Sequence, residues 1–277
     1  RQDNFDATQG KDFRFRHDLV RAKDHGEEIP VISLLPPSNH WHGHTVIWVN
    51  GQGKAGLFDS SGQLNQAVQD LLNHGIAVVS GDLLYQGEFL TDGKPITQTR
   101  VVSNPREAAG YTFTYNPTLF SERVHDLLTL IAWVHQDFLK NELSIGNRTQ
   151  VPRVDLLGIQ GAGPWVAAAA AIVGLADRPD AIDRVAIDTD KFRFSNLTSY
   201  RDANFLLGAV KYGDLPGILP LIAPHALWIA GETQANLQQV RSAYEIHHGS
   251  ANLHIEDTPL PSVATAACAW LAQDREQ

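Results

Sequence analysis

The stretch from Val154 to Gly174, VDLLGIQGAGPWVAAAAAIVG, limits what this chain can fold into more than any other. An apolar run of strand length, Val154 to Leu157, meets a glycine-rich turn and then at once an alanine-rich segment with no breaker before Gly174. Strand, tight turn and buried helix therefore follow one another without a loop. In such a unit the residue at the apex is thrown clear of the sheet, and its neighbours must be small because backbone crowds backbone there. The helix start behind the apex favours negative charge.

The spacing of this turn resembles the nucleophile elbow of the α/β-hydrolases, Gly-x-nucleophile-x-Gly. With Gly158 as the first glycine, Ile159 follows, Gln160 takes the nucleophile position, and Gly161, Ala162 and Gly163 supply the small residues. Gln has no ionisable hydrogen and forms no acyl-enzyme, so the motif that points to the fold argues against the usual chemistry of that fold. Two other readings stand beside it. A dinucleotide-binding loop would need G-x-G-x-x-G after a first strand, whereas this one reads G-x-x-G-x-G past mid-chain. The other reading is a glycine turn with no functional ancestry.

Composition excludes several function classes. A net charge of −9 over 277 residues, 43% of them hydrophobic, gives no basic stripe for nucleic acid and no basic amphipathic helix for a membrane surface. No apolar run approaches the roughly 20 residues that span a bilayer. The lone Cys268 has no partner in the chain for a disulfide and sits in an alanine-rich apolar stretch, as a small core residue does. The absence of a Ser- or Pro-rich linker favours a single α/β domain over residues 1–277. Its start, RQDNFDATQG, has neither Met nor a signal sequence, so we expect a processed protein or one domain of a longer polypeptide.

Strand and helix patterns alternate along the chain. FRFRHDLVR (13–21) and IPVISLL (29–35) flank a turn at Asp24-His25-Gly26 and read as an opening antiparallel hairpin. The segment HWHGH holds His40, His42 and His44, but no carboxylate or Cys accompanies it, so we expect a solvated loop and no metal. TVIWVN (45–50) is a buried strand, followed by Gly51 and Gln52. Asp59-Ser60-Ser61 offers caps for a helix ending near Asn73. Residues 83–118 form a long irregular stretch with Tyr85, Tyr111 and Tyr115, expected to lie over the carboxyl ends of the strands near Gln160. Further strands are expected at Arg184–Ile187, Ala226–Ala230 and Leu253–Ile255. A mostly parallel sheet covered by helices on both faces follows.

Within the α/β-hydrolase pattern, the loop after the strand ending at Asn50 supplies part of an oxyanion hole. The resemblance places that hole at Gly51 and Gln52, with Gly161 from the elbow. The acid position falls on Glu232, or on Asp188 or Asp190 one strand earlier. The imidazole position falls in Glu256–Pro261, EDTPLP, which holds no His; His254 comes too early, inside the strand. Three phrases, YTFTYNPTLFSERVHDLL, GIQGAGPWVAAAA and LPGILPLIAPHALWIAGE, together with the order of elements, resemble the bacterial acetyl xylan esterase and dienelactone hydrolase branch of this superfamily.

That resemblance implies carboxylic-ester hydrolysis in an ancestor, with no cofactor, and a secreted or periplasmic location. The departures at Gln160 and after Ile255 imply a domain without an intact triad. Its partners would be an adjacent catalytic domain or a carbohydrate-ester ligand. The rival expectations are an active ester hydrolase with a displaced nucleophile, and non-hydrolytic chemistry in which Gln160 orients a substrate or water.

Overall fold

A computed structural model describes residues 13–37, 40–99, 109–146, 151–176, 179–257 and 260–273. Its centre is β5 (Arg153–Ile159), seven residues that are all buried. Such a run needs helices on both sides. It lies inside an eight-stranded sheet of order β1-β2-β4-β3-β5-β6-β7-β8. The other strands are β1 (Arg14–Ala22), β2 (Glu27–Leu35), β3 (His44–Asn50), β4 (Ala77–Gly81), β6 (Arg184–Asp188), β7 (Ala226–Ala230) and β8 (Leu253–Ile255). β2 runs antiparallel to both of its neighbours, and every other pair is parallel. The opening hairpin turns at Gly26, whose φ of 67° suits a residue without a Cβ.

Alternation along the strands divides the core in two. Ile47, Val49, Val79, Val185 and Ile187 face one side, where α3 (Leu119–Trp133), α5 (Gly163–Leu175) and α7 (Gln238–Ile246) cover them. Val46, Trp48, Val78, Ala186 and Trp228 face the other, under α1 (Gln66–Asn73) and α8 (Val263–Leu271). Cys268 is free and buried in that second core. The remaining α-helices among the described residues are short: α2 (Ala109–Phe113), α4 (Leu139–Gly146) and α6 (Asp214–Ile218). A π-helical turn over Val134–Phe138 joins α3 to α4.

Two local expectations are corrected. Helix α1 is capped by Asn65, whose side chain accepts the Val68 N–H at 2.9 Å, and not by the residues at 59–61. Asp59 instead closes a turn of its own, accepting the N–H groups of Ser61 and Gln63. His44, expected in a solvated loop, opens β3, and its Nε2 lies 2.8 Å from Asp155 Oδ2. Asp155 is fully buried and also accepts two bonds from Arg153, so this imidazole belongs to a polar cluster where β3 and β5 begin.

The irregular stretch at residues 83–118 meets a second one, residues 191–223, between β6 and β7. Thr99 N–H donates to Arg201 O at 2.7 Å and Ala203 N–H to Thr97 O at 3.1 Å, while Phe113 packs on Tyr200 and Phe205. Trp165 in the first turn of α5 donates to Asn204 Oδ1, which ties this pair of segments to the elbow helix. Residues 100–108 of the first stretch lie outside the described residues.

The start of that stretch is clamped by α3. The Asp126 carboxylate accepts the Leu84 N–H at 2.7 Å, and Arg123, whose guanidinium lies 4.5 Å from the centroid of the Trp165 ring, donates to Leu84 O and Tyr85 O. Burial pushes the Asp126 carboxyl up to about 7, against the Leu84 hydrogen bond; Glu27 and Glu122 add to the rise and His125 opposes it. A carboxyl whose folded pKa lies above its unfolded value of 3.8 stabilises the fold below that value, and the contribution is lost as pH rises to about 7. In urea unfolding between pH 4 and 8, the stability of the Asp126→Asn variant relative to the parent should therefore rise as pH goes from 4 to 7. Parallel profiles would contradict the assignment.

Candidate active site

At the turn between β5 and α5, Gln160 has a φ of 51° and Gly161 one of 88°. Positive φ in a residue with a Cβ stores about 1–3 kcal/mol of strain, which the surrounding packing must hold. Two close approaches hold it. A Cβ on Gly163 would sit 2.0 Å from Asp188 O, and one on Gly51 would sit 2.0 Å from Gln160 O. The turn is thus wedged between the end of β6 and the loop that follows β3.

Gln160 is exposed, yet its carboxamide has a fixed orientation. Gln52 N–H donates to Asn50 Oδ1 at 2.8 Å, which leaves the Asn50 amide nitrogen to donate to Gln160 Oε1 at 3.0 Å. Gln160 must then turn its own NH₂ away from Asn50. Asn50 is in turn braced by Gln86, a fully buried side chain that donates to the carbonyls of Asn50 and Gly51 and accepts from Leu83 N–H. Asp82 fixes the rest of the loop by accepting the Lys54 and Glu88 N–H groups.

Of the residues expected to line an oxyanion hole, Gln52 has its N–H committed to Asn50. Gly51 instead provides the close contact with the Gln160 carbonyl, and Gly161 follows Gln160 at the head of the turn before α5.

The candidate acids occupy separate environments. Glu232, at the end of β7, has a fully buried side chain that forms a two-pronged ion pair with Arg193, Nη1 to Oε1 at 2.6 Å and Nη2 to Oε2 at 2.7 Å. Thr189 Oγ1 and Asn236 Nδ2 also donate to it. Asp188 is raised by burial, opposed by the Asp190 N–H it accepts, with the charge of Asp190 adding to the rise. Asp190 is exposed, with a φ of 46°. His254 stacks on Trp228 at an interplanar angle of 6°, and its nearest carboxylate is Glu256 at 3.9 Å. Thr258 and Pro259, within the segment expected to hold an imidazole, lie outside the described residues. Among the described residues, no group of three His, Cys, Asp or Glu side chains is placed to hold a metal ion, and no helix is long and apolar enough to cross a membrane.

No family model matches the sequence, and no curated protein matches it. Solved structures do. A promiscuous CE15 esterase from a marine bacterial metagenome superposes with a TM-score of 0.60 at 12% identity, over 98% of this chain and 83% of its own. A protein assigned as an acetyl xylan esterase from Bacteroides fragilis gives a TM-score of 0.52 at 14% identity, over 89% of this chain and 66% of its own. One assigned as a dienelactone hydrolase from Klebsiella pneumoniae gives 0.53 at 11%, over 95% of this chain and 99% of its own. The chain has the α/β-hydrolase fold.

In this α/β-hydrolase fold the structure brings Gly51, Gln52, Gln160 and Gly161 together around one turn, and it sets Glu232 in a cluster with Arg193. Sequence reasoning missed Asn50, Gln86 and Arg193. The first two carry a faint signal, as polar residues ending or following runs that are otherwise buried. Arg193 carries none, because it meets Glu232 only through space. Glu232 is fully buried while Arg193 is partly exposed, so losing Arg193 leaves a buried carboxylate held only by Thr189 and Asn236. Arg193→Met should therefore destabilise the protein by about 1–3 kcal/mol, and Arg193→Met with Glu232→Gln should cost less than the single change. Urea unfolding of the three variants checks this; a neutral Arg193→Met would mean that Glu232 does not depend on its partner.

Proposed function

We propose that this α/β-hydrolase-fold domain descends from carboxylic-ester hydrolases, does not hydrolyse esters by the triad route, and serves as a binding module. The observation that carries the reading is the residue at the elbow: Gln160 stands at the strained turn with its carboxamide tied to Asn50. A carboxamide cannot be activated as a nucleophile by a general base, so an acyl-enzyme has no atom on which to form there. Two further observations support it. Glu232 is occupied by Arg193, and the segment Glu256–Pro261 contains no His.

The structural neighbours include CE15 esterases and a protein assigned as an acetyl xylan esterase. On that basis the ligand proposed at Gln160 is a carbohydrate ester, bound but not cleaved. The domain would work beside a catalytic domain in a secreted or periplasmic setting. Gln160 can donate to a ligand carbonyl through the NH₂ that Asn50 leaves open, at the start of a helix whose dipole favours partial negative charge.

The test is hydrolysis of p-nitrophenyl acetate. The unaltered protein should show no rate above that of a nonspecific protein at equal concentration. Gln160→Ser should raise it by less than about tenfold, because a Ser without a base in hydrogen-bond reach remains a weak nucleophile. Saturable turnover by the unaltered protein would overturn the reading.

A further inference from the structure

The sheet has a concavity at the ends of the strands opposite the elbow. A cleft of about 710 Å³ opens where β6, β7 and β8 begin, and Asp180, Asp183, Arg184, His254, Trp270 and Gln273 border it. Small-molecule sites typically enclose about 300–1,000 Å³. β6 is five residues long, so at roughly 3.3 Å of rise per residue the cleft lies about 13 Å from the strand ends that carry the elbow. It is a separate place on the molecule.

Its chemistry narrows the ligand. Two carboxylates and one guanidinium border the cleft; Asp183 Oδ2 accepts the Val154 N–H at 3.2 Å, and Arg184 already donates to the carbonyls of Trp270 and Gln273 while lying 5.2 Å from the centroid of the Trp270 ring. His225, which also lines the cleft, is kept toward its neutral form by burial, against the pull of Asp183. The balance is slightly negative, which disfavours a phosphate or a carboxylate. What the lining offers is a set of hydrogen-bonding groups of both kinds: carboxylate acceptors, the Gln273 amide, the Asn252 amide oxygen, whose nitrogen donates to Pro224 O, and the half-exposed imidazole of His254, stacked on Trp228. Beside them Trp270, whose ring carries the Arg184 guanidinium over it, also lines the cleft, and the part of the indole that this cation leaves uncovered supplies apolar surface for C–H groups.

We propose that this cleft binds a neutral, polyhydroxylated ligand, a short oligosaccharide, through its hydroxyls at Asp180, Asp183 and His254 and its C–H surface at Trp270. The site is independent of the reading given to Gln160. It would hold whether or not the elbow proves catalytic.

Saturation-transfer NMR with xylotriose and cellotriose as probes tests binding, and hydrogen exchange at saturating sugar locates it. At least one sugar should bind, with amide protection at residues 179–184 and 251–255. Asp180→Asn and His254→Ala, both at exposed positions, should each weaken the affinity at least fivefold. Trp270→Ala should weaken it further. Absence of saturation transfer from both sugars would overturn the proposal. Protection at 160–163 and 231–233 in place of the cleft, or affinity unchanged in both exposed variants, would overturn it equally.

Discussion

The structure depends on how closely backbone passes backbone at one turn. A Cβ on Gly163 would meet Asp188 O at 2.0 Å, and one on Gly51 would meet Gln160 O at the same distance. No side chain fits at either position without moving a strand end, so the turn, the end of β6 and the loop after β3 are fixed relative to one another. That fixity lets Gln160 keep a positive φ. The strain is local, while the packing that opposes it is spread over three strands.

Polar contacts extend the same constraint outward. Asp126 and Arg123 on α3 hold the backbone of Leu84 and Tyr85, Gln86 bonds the carbonyls of Asn50 and Gly51, and Asn50 bonds Gln160. A continuous series of hydrogen bonds thus runs from a helix on one face of the sheet to the apex of the elbow. On the other side of the apex, the Arg193–Glu232 pair binds the segment after β6 to the end of β7. The two-pronged geometry fixes the orientation of the guanidinium against the carboxylate. The elbow therefore presents a rigid, neutral carboxamide flanked by groups already committed to one another.

The mostly parallel sheet and the order of elements along the chain were legible because their signals are local and repeated. The buried run of β5, the glycine turn and the alanine-rich helix demand a unit covered on both faces, and Gly26 marks the hairpin that adds β1 and β2. Helix starts were less legible. Asp59 has the chemistry of a cap, but its carboxylate is consumed by a turn over residues 59–63, and Asn65 does the capping. His44 reads as part of a polar loop, and only the pairing of β3 with β5 brings it to Asp155. At the site, position 160 was legible through glycine spacing alone. Arg193 was not, because an ion pair between residues 39 apart leaves no periodic trace.

The central claim is that a hydrolase elbow has been kept while its nucleophile has been replaced by a carboxamide. Intact-mass measurement after incubation with a fluorophosphonate tests this most directly, because the reagent forms a stable adduct with an activated Ser and does not depend on guessing a substrate. The account predicts the unmodified mass at long incubation and excess reagent. A stoichiometric adduct, localised by peptide mapping to a Ser or Thr beside Gln160 or Glu232, would contradict it.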